Sequence, residues 1–489
     1  MNGRDTSKLQ AGRCGSQAGE NSCPRIVIGG TGSGVGKTSV ALALVRAFKR
    51  RGLVVQPFKV GPDFLDPTYL SRAAGRTCLN LDGWLTSKSY VHALFTETTG
   101  QAHIAIIEGV MGLFDGSDPR TNEGSTAEIA AWLQAPVLLV VNAHGVSRSV
   151  AALVKGFASF DSSLTIAGVV ANRCGSERHI AWLSESLATH DLPKIVAAFP
   201  RDAIPSLPSR HLGLVTADEK VLSESVLDEL ADVVEQYGSV ESIWKIARSA
   251  GCVSWSSTAT KPRKGTERRI RLGIAQDQAF HFYYADNLAA LERAGCSLVT
   301  FSPIRDSILP SDLDGLYIGG GYPEEYAKDL SENRSMLDSI RRFARTGKPL
   351  YAECGGLMYL SKGIELRSGE RFGLVGVLPA WTRMLDKVRS LGYVEITLTQ
   401  DSLFGKVGTV FRGHEFHYSE LMEDPLIDPA WQTVYAVKRR RTDGITREGY
   451  QKGSIVASYV HMHFASNPQL VEWFVGRCRA ENVPSGGLR

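Results

Sequence analysis

The sequence contains no Cys-x-x-Cys pair; its eight cysteines stand at 14, 23, 78, 174, 252, 296, 354 and 478, scattered along 489 residues. That spacing argues against the common zinc frameworks and against a disulfide-stapled scaffold, and it fits a reducing, cytoplasmic setting. No stretch approaches the roughly 18 consecutive apolar residues that span a bilayer, so no membrane partner is expected. A dominant charge sign is missing as well: 55 Lys and Arg face 51 Asp and Glu, and the formal charge of +4 is too dilute to imply nucleic acid. No internal repeat is evident. The first 24 residues, polar and rich in Gly, Ser and Gln, lack the apolar centre of a signal peptide and read as a disordered tail.

A chain of this length is too long for one ordinary hydrophobic core. From Arg25 to residue 245, the apolar runs RIVIGG, LVVQPFKVG, HIAIIEGV, APVLLVVNA, TIAGVVANRC and KIVAAFP alternate with helix-compatible segments. Runs of this kind suit strands buried on both faces of a parallel sheet with crossover helices. Residues 246–268 are small, polar and basic, without a period, and read as a linker. The pattern then restarts in 269–489 with RIRLGIAQD, SLVTFSP, GLYIGGG and PLYAECGG. Two α/β domains are therefore expected.

The stretch IGGTGSGVGKTSV carries a strand into a glycine loop and on into a helix ending near Gly52. That order is the setting for a phosphate cradle, because backbone N–H groups and the positive helix end face the anion. Gly30, Thr31, Gly32, Ser33, Gly34, Val35, Gly36, Lys37, Thr38 and Ser39 are the candidate nucleotide-binding residues, with Lys37 on the β- and γ-phosphates and the Thr38 hydroxyl on Mg²⁺. The spacing is unusual, since Thr31 stands where the first glycine of an ordinary P-loop belongs. Mg²⁺ takes oxygen ligands, and four acids fall at the carboxyl ends of predicted strands, where ligands collect. They are Asp63 and Asp66 in FKVGPDFLDP, and Glu108 and Asp115 in IAIIEGVMGLFDG.

In the second half, PLYAECGGLMYL sets Cys354 between an apolar strand and a glycine-led helix, an elbow that exposes a nucleophile. IVASYVHMHFASNP offers His461 and His463, which in a regular strand point the same way, so either could serve as base. FRGHEFHYSE has His414 and His417 on opposite sides of a strand and reads as a structural or substrate-facing strand. QDQAFHFYYADNLAAL reads as an aromatic loop entering a helix.

Gly30-Thr31 with Val35-Gly36-Lys37-Thr38 resembles the loop of dethiobiotin synthetase and its relatives, which make acyl phosphates from carboxylates and ATP. A partition-type ATPase would carry a further lysine at 32, where glycine stands. The strings FKVGPDFLDPTYL, NLDGWL, EGVMGLFDG, GSTAEIAAWL and LPSRHLGLV narrow the resemblance to the cobyrinic acid a,c-diamide synthase family. Cys354, the later histidines and YIGGGYPEEY resemble class I glutamine amidotransferases. The resemblance implies a P-loop, parallel-sheet, ATP-binding amide synthetase domain of dethiobiotin synthetase type over 25–245, followed by a flavodoxin-like glutamine amidotransferase domain over 269–489. It implies Cys354 as nucleophile, His461 ahead of His463 as base, and Gly319, Gly320 and Gly321 as oxyanion donors. Thr38, Asp63 and Glu108 would hold Mg²⁺, Asp66 and Asp115 would support the acyl phosphate step, and Asn172 would meet adenine. ATP and L-glutamine are the implied co-substrates, a corrinoid or related tetrapyrrole polycarboxylate the partner, and a homodimer the assembly allowed for. One departure stands out: Thr68-Tyr69-Leu70 follow Pro67 where relatives often have a histidine. His463 occupies the place where many glutamine amidotransferases carry the carboxylate that orients the base, and the absence of that carboxylate resembles the cobyrinate and cobyric acid branch.

Overall fold

The protein is represented by a computed structural model that describes residues 20–205, 209–210, 213–214, 222–254, 269–440 and 444–480. The chain divides into two units, Met1–Ala259 and Thr260–Arg489.

The first unit is built on seven parallel strands in the order Leu79–Leu81, Val55–Val60, Ile104–Glu108, Arg25–Gly30, Val137–Asn142, Ile166–Cys174, Ile195–Pro200. Six of these are the apolar runs read from the sequence. The seventh, Leu79–Leu81, is a three-residue edge strand too short to show a period. Helix Lys37–Arg50 packs Val40, Leu44, Val45 and Phe48 into the core shared with the sheet. Arg46 and Arg51 on the same helix pair with Asp228 and Glu235 of helix Glu224–Tyr237.

Both ends of this unit depart from the expected boundaries. Helix Val240–Arg248 runs into the segment assigned as linker, and Val253–Ser254 pairs antiparallel with Glu20–Asn21 from the segment assigned as tail. Arg25 supplies one reason: its buried guanidinium donates to the carbonyls of Leu133, Cys23 and Gly251, fastening both segments to the sheet. Residues 1–19 and 255–268 of those assignments lie outside the described residues, as does most of LPSRHLGLV.

The second unit carries a ten-stranded sheet. Cys296–Phe301, Ile270–Ala275, Gly315–Ile318, Leu350–Glu353 and Ile455–Ser458 form its parallel half. Ile445–Lys452, Gln432–Arg439, Ser390–Leu398, Val410–His417 and His461–Met462 continue it in antiparallel pairing. Ile455–Ser458 and His461–Met462 belong to one run of chain, so the antiparallel strands close a circuit. That closure sets His414 opposite His461.

Candidate active sites

In the first unit, strand Arg25–Gly30 delivers the glycine loop to helix Lys37–Arg50, whose N-terminus has no side-chain cap and no acidic residue in its first turn. Its backbone N–H groups and positive end suit an anion. The displaced glycine has a steric reason. A Cβ at Gly30 would lie 2.8 Å from Val35 Cγ2 and 2.9 Å from Lys37 Cδ, so a side chain there would push Val35 and Lys37 out of place. Thr31 instead is tied by its N–H to Val140 O at 3.1 Å, on the neighbouring strand.

The carboxyl ends of adjacent strands bring Lys37, Thr38, Asp63, Asp66 and Glu108 around a residue the sequence reading did not single out, Lys59. Its Nζ lies 2.6 Å from Asp66 Oδ2, 2.9 Å from Glu108 Oε1 and 3.8 Å from Asp63 Oδ2. Burial works against its charge, but Asp66, Glu108 and Asp63 outweigh that and hold its pKa above the ordinary lysine value. Burial, and then Asp66, push Glu108 above the usual carboxylate range. For Asp66, Lys59 outweighs burial and the net shift is downward. The available signal was a lysine within VQPFKV, a strand with no polar face.

Thr38 Oγ1 donates to Glu108 Oε1 at 2.5 Å, while Glu108 Oε2 is buried with no hydrogen-bond partner. A hydroxyl, an orphaned carboxylate oxygen and nearby acids fit Mg²⁺, which commonly takes one or two carboxylates and keeps waters or phosphate oxygens. Among the described residues, no group of three or more His, Cys, Asp or Glu could hold a metal ion. Asp63 is fixed by donations from Leu65 N and Asp66 N, and Asn80 braces its loop through Gly61 O and Asp63 O.

Lys37 donates to the carbonyls of Gly32 and Met111. Met111 stands at φ 47°, a conformation non-glycine residues seldom adopt. Asp115, beyond it, accepts the Gly112 N–H at 2.8 Å and so closes its own loop. Asn172 is buried; its Nδ2 donates to Val35 O at 2.8 Å and its Oδ1 accepts from Arg173 N, so in this structure the amide braces the glycine loop. Ser33 and Gly34 are exposed at the loop tip. Tyr69 and Leu70, which follow Pro67 closely, are fully buried core residues.

In the second unit, Cys354 follows strand Leu350–Glu353 at φ 46°, ψ −100° and leads into the short helix Gly355–Leu360. The elbow is pinned by Cys354 N donating to Ser458 O at 2.7 Å. The thiol lies close enough to the His461 imidazole to favour its charged form. Burial opposes a charge on His461, but Cys354 and Glu353 outweigh it and raise its pKa to about 9.

His461 and His463 do not share a direction, because the strand ends at Met462 and His463 opens a turn, accepting from Ala465 N. His463 Nε2 lies 3.3 Å from Asp286 Oδ2 instead. Asn287 secures the same segment through Met462 O and Phe464 N. The YYADN stretch thus holds the histidine strand. His414 stacks on His461 with ring centroids 5.0 Å apart and meets Tyr284 OH through Nδ1, while His417 stacks on Tyr459. Strand Val410–His417 borders the thiol, with Phe416 O 3.9 Å from Cys354 Sγ.

Gly320 and Gly321 pair with Phe282 and Phe280. A Cβ at Gly320 would lie 2.4 Å from His461 Cε1, and one at Gly355 would lie 3.0 Å from Gly321 N, so the glycine loop packs directly on the elbow. The Gly319 N–H donates to Tyr283 OH at 2.7 Å.

Residues 26–215 match the model of the CobQ/CobB/MinD/ParA nucleotide binding domain, and residues 271–469 match that of the CobB/CobQ-like glutamine amidotransferase domain. The chain is 55% identical to the cobyrinate a,c-diamide synthase of Syntrophotalea carbinolica, over 94% of this chain and 100% of that protein. It is 49% identical to the enzyme of the same name from Leptospira interrogans, over 93% and 98%. Among solved structures, a glutamine amidotransferase aligns over 42% of this chain and 98% of its own at 19% identity and a TM-score of 0.32.

Proposed function

The chain belongs to the cobyrinate a,c-diamide synthase family, and from that premise we propose that it amidates the a and c acetate carboxylates of cobyrinate, using ATP and glutamine. The observation that carries this reading is the coexistence in one chain of a lysine-and-carboxylate phosphate cradle and a thiol on a strained elbow beside a buried imidazole. A carboxylate cannot exchange oxide for nitrogen directly. Its oxygen first takes the γ-phosphoryl group of ATP, giving an acyl phosphate and ADP. Ammonia then attacks the acyl carbon and phosphate leaves, giving the amide.

In the first unit the loop N–H groups and Lys37 hold the phosphates, and Lys59 offsets the acids that surround it. Thr38, Glu108 and Asp63 would hold Mg²⁺, which supplies charge neutralisation between the two anionic reactants. Asp66 and Asp115 would support the acyl phosphate step, and Asn172 keeps the cradle in shape while bordering adenine. In the second unit the Cys354 sulfur attacks the side-chain amide carbon of glutamine. His461 then passes a proton to the departing ammonia, and water hydrolyses the thioester to glutamate. Gly320 and Gly321 offer the N–H groups for the oxyanion.

The test is incubation with ATP, Mg²⁺, glutamine and each of cobyrinate, hydrogenobyrinate and nickel sirohydrochlorin, followed by mass spectrometry. Two successive exchanges of hydroxyl for amino on cobyrinate are expected. No mass change with glutamine or with ammonium would overturn the reading.

A further inference from the structure

Resting on the assignment of Cys354 and His461 as the glutaminase pair, we propose that Glu353, the residue immediately before the nucleophile, is the positioning carboxylate for the His461 imidazole. In a Cys-His pair a third group usually fixes the ring and steadies its charged form. The place for that group two residues beyond the histidine holds His463, which is turned to Asp286. On the Nδ1 side of His461 stands Glu353, with Oε2 3.8 Å away.

Glu353 is built into this position rather than passing by it. Its carboxylate is buried, at 2% exposure, and both oxygens are engaged. Tyr317 OH donates to Oε2 at 2.9 Å, while Tyr351 OH and Met462 N donate to Oε1 at 2.6 and 3.1 Å. A buried carboxylate is costly unless satisfied in this way. Strand pairing explains the reach. Glu353 lies opposite Ser458 in a parallel pair, and the chain beyond Ser458 brings His461 past the end of Leu350–Glu353. The imidazole therefore touches both successive residues of the elbow, Glu353 and Cys354.

The other groups facing the ring leave this role to Glu353. His414 stacks on it, and burial, then His461 and His463, hold the His414 pKa well below the ordinary value, so it carries no charge. Tyr284 OH is engaged with His414, and Asp286 faces His463. Burial, and then Glu353, push Tyr317 and Tyr351 far up, so both remain hydroxyl donors. Glu353 thus orients Nδ1–H toward itself, leaving Nε2 to exchange the proton with sulfur, and it stabilises the imidazolium formed by that exchange. At 3.8 Å the contact is ionic rather than a full hydrogen bond, so its removal costs less than deleting the carboxylate of a tight triad.

The test uses the full-length enzyme with Glu353→Gln, Glu353→Asp and Tyr317→Phe. Glutamine hydrolysis, iodoacetamide labelling of the Cys354 peptide against pH, and ammonium-dependent amidation are measured for each. Glu353→Gln is expected to lower glutaminase kcat about 10- to 100-fold with little change in KM, and to move the labelling profile to higher pH, because the imidazolium loses its counter-charge. Glu353→Asp should recover part of both effects, and amidation with ammonium should stay at the wild-type level. A Glu353→Gln enzyme with wild-type hydrolysis and an unmoved labelling profile overturns the proposal. So do equal losses in the Gln and Asp variants accompanied by loss of ammonium-dependent amidation, the mark of a merely structural role. If Glu353→Gln does not fold, Tyr317→Phe decides: a smaller fall in kcat with a shift in the same direction supports the proposal, and no shift refutes it. Hydrolysis that survives Cys354→Ala would instead reject the glutaminase assignment itself.

Discussion

Lys59 Nζ lies 2.9 Å from Glu108 Oε1, and neither side chain reaches solvent to any useful extent. A lysine placed on a fully buried strand is tolerable only with such partners, and the partners are tolerable only with the lysine. Lys59→Met should therefore destabilise the first unit by about 3–5 kcal/mol in chemical denaturation. The double variant Lys59→Met/Glu108→Gln should regain part of that loss, whereas equal stability of single and double variants would show the two charges to be uncoupled.

Lys37→Ala removes the ammonium proposed to hold the phosphates. Amide formation should fall by at least about 100-fold with either nitrogen source, while glutamine hydrolysis persists. Amidation kept at the wild-type rate with ammonium would displace Lys37 from the phosphate site.

Cys354→Ala should abolish the use of glutamine and leave amidation driven by ammonium. His461→Ala should follow it. His463→Ala, which leaves Asp286 without that imidazole, should lower thermal stability more than turnover. Loss of hydrolysis in the His463 variant alone would exchange the roles of the two histidines.

Gly320→Ala places a methyl group 2.4 Å from His461 Cε1, and the ring must move. Since misplacing a catalytic group by about 1 Å can cost about 100-fold, glutaminase turnover should drop by roughly that factor. Ammonium-dependent amidation is the internal control and should not change.

Glu448 is buried among the strands of the second unit, donated to by Ser458 Oγ and Tyr459 N, and burial raises its pKa to about 7. Folding thus favours its protonated form. Stability from this group is present below the unfolded carboxyl pKa and is lost as pH rises through about 7. Glu448→Gln cannot ionise, so its advantage over wild type should grow between pH 5 and pH 8, by an amount on the order of 2–3 kcal/mol. A stability difference that stays constant over that interval would contradict this account.

Much of the phosphate cradle was legible because it is local. A strand, a glycine loop and a helix in direct succession specify where Lys37 and Thr38 stand, and an acid closing an apolar strand, Glu108, sits at the sheet's binding edge. Lys59 was hidden because a lysine in a strand looks the same whether it extends to solvent or is enclosed by acids drawn from two other places in the chain. The order found in the expected linker and tail is hidden in the same way: Glu20–Asn21 and Val253–Ser254 are two-residue strands that pair with each other from distant places in the chain.

The amino-acid order alone determined the two α/β patterns, the glycine loop, the nucleophile elbow and the distant pair of candidate bases, since each rests on neighbours in the chain and on backbone periodicity. The separate surroundings of His461, beside Glu353, and His463, beside Asp286, and the donation of the Gly319 N–H to Tyr283 exist only in three dimensions. They depend on where one strand ends, which strand lies beside it and which polar groups a closed sheet encloses, and no one-dimensional spacing encodes those distances.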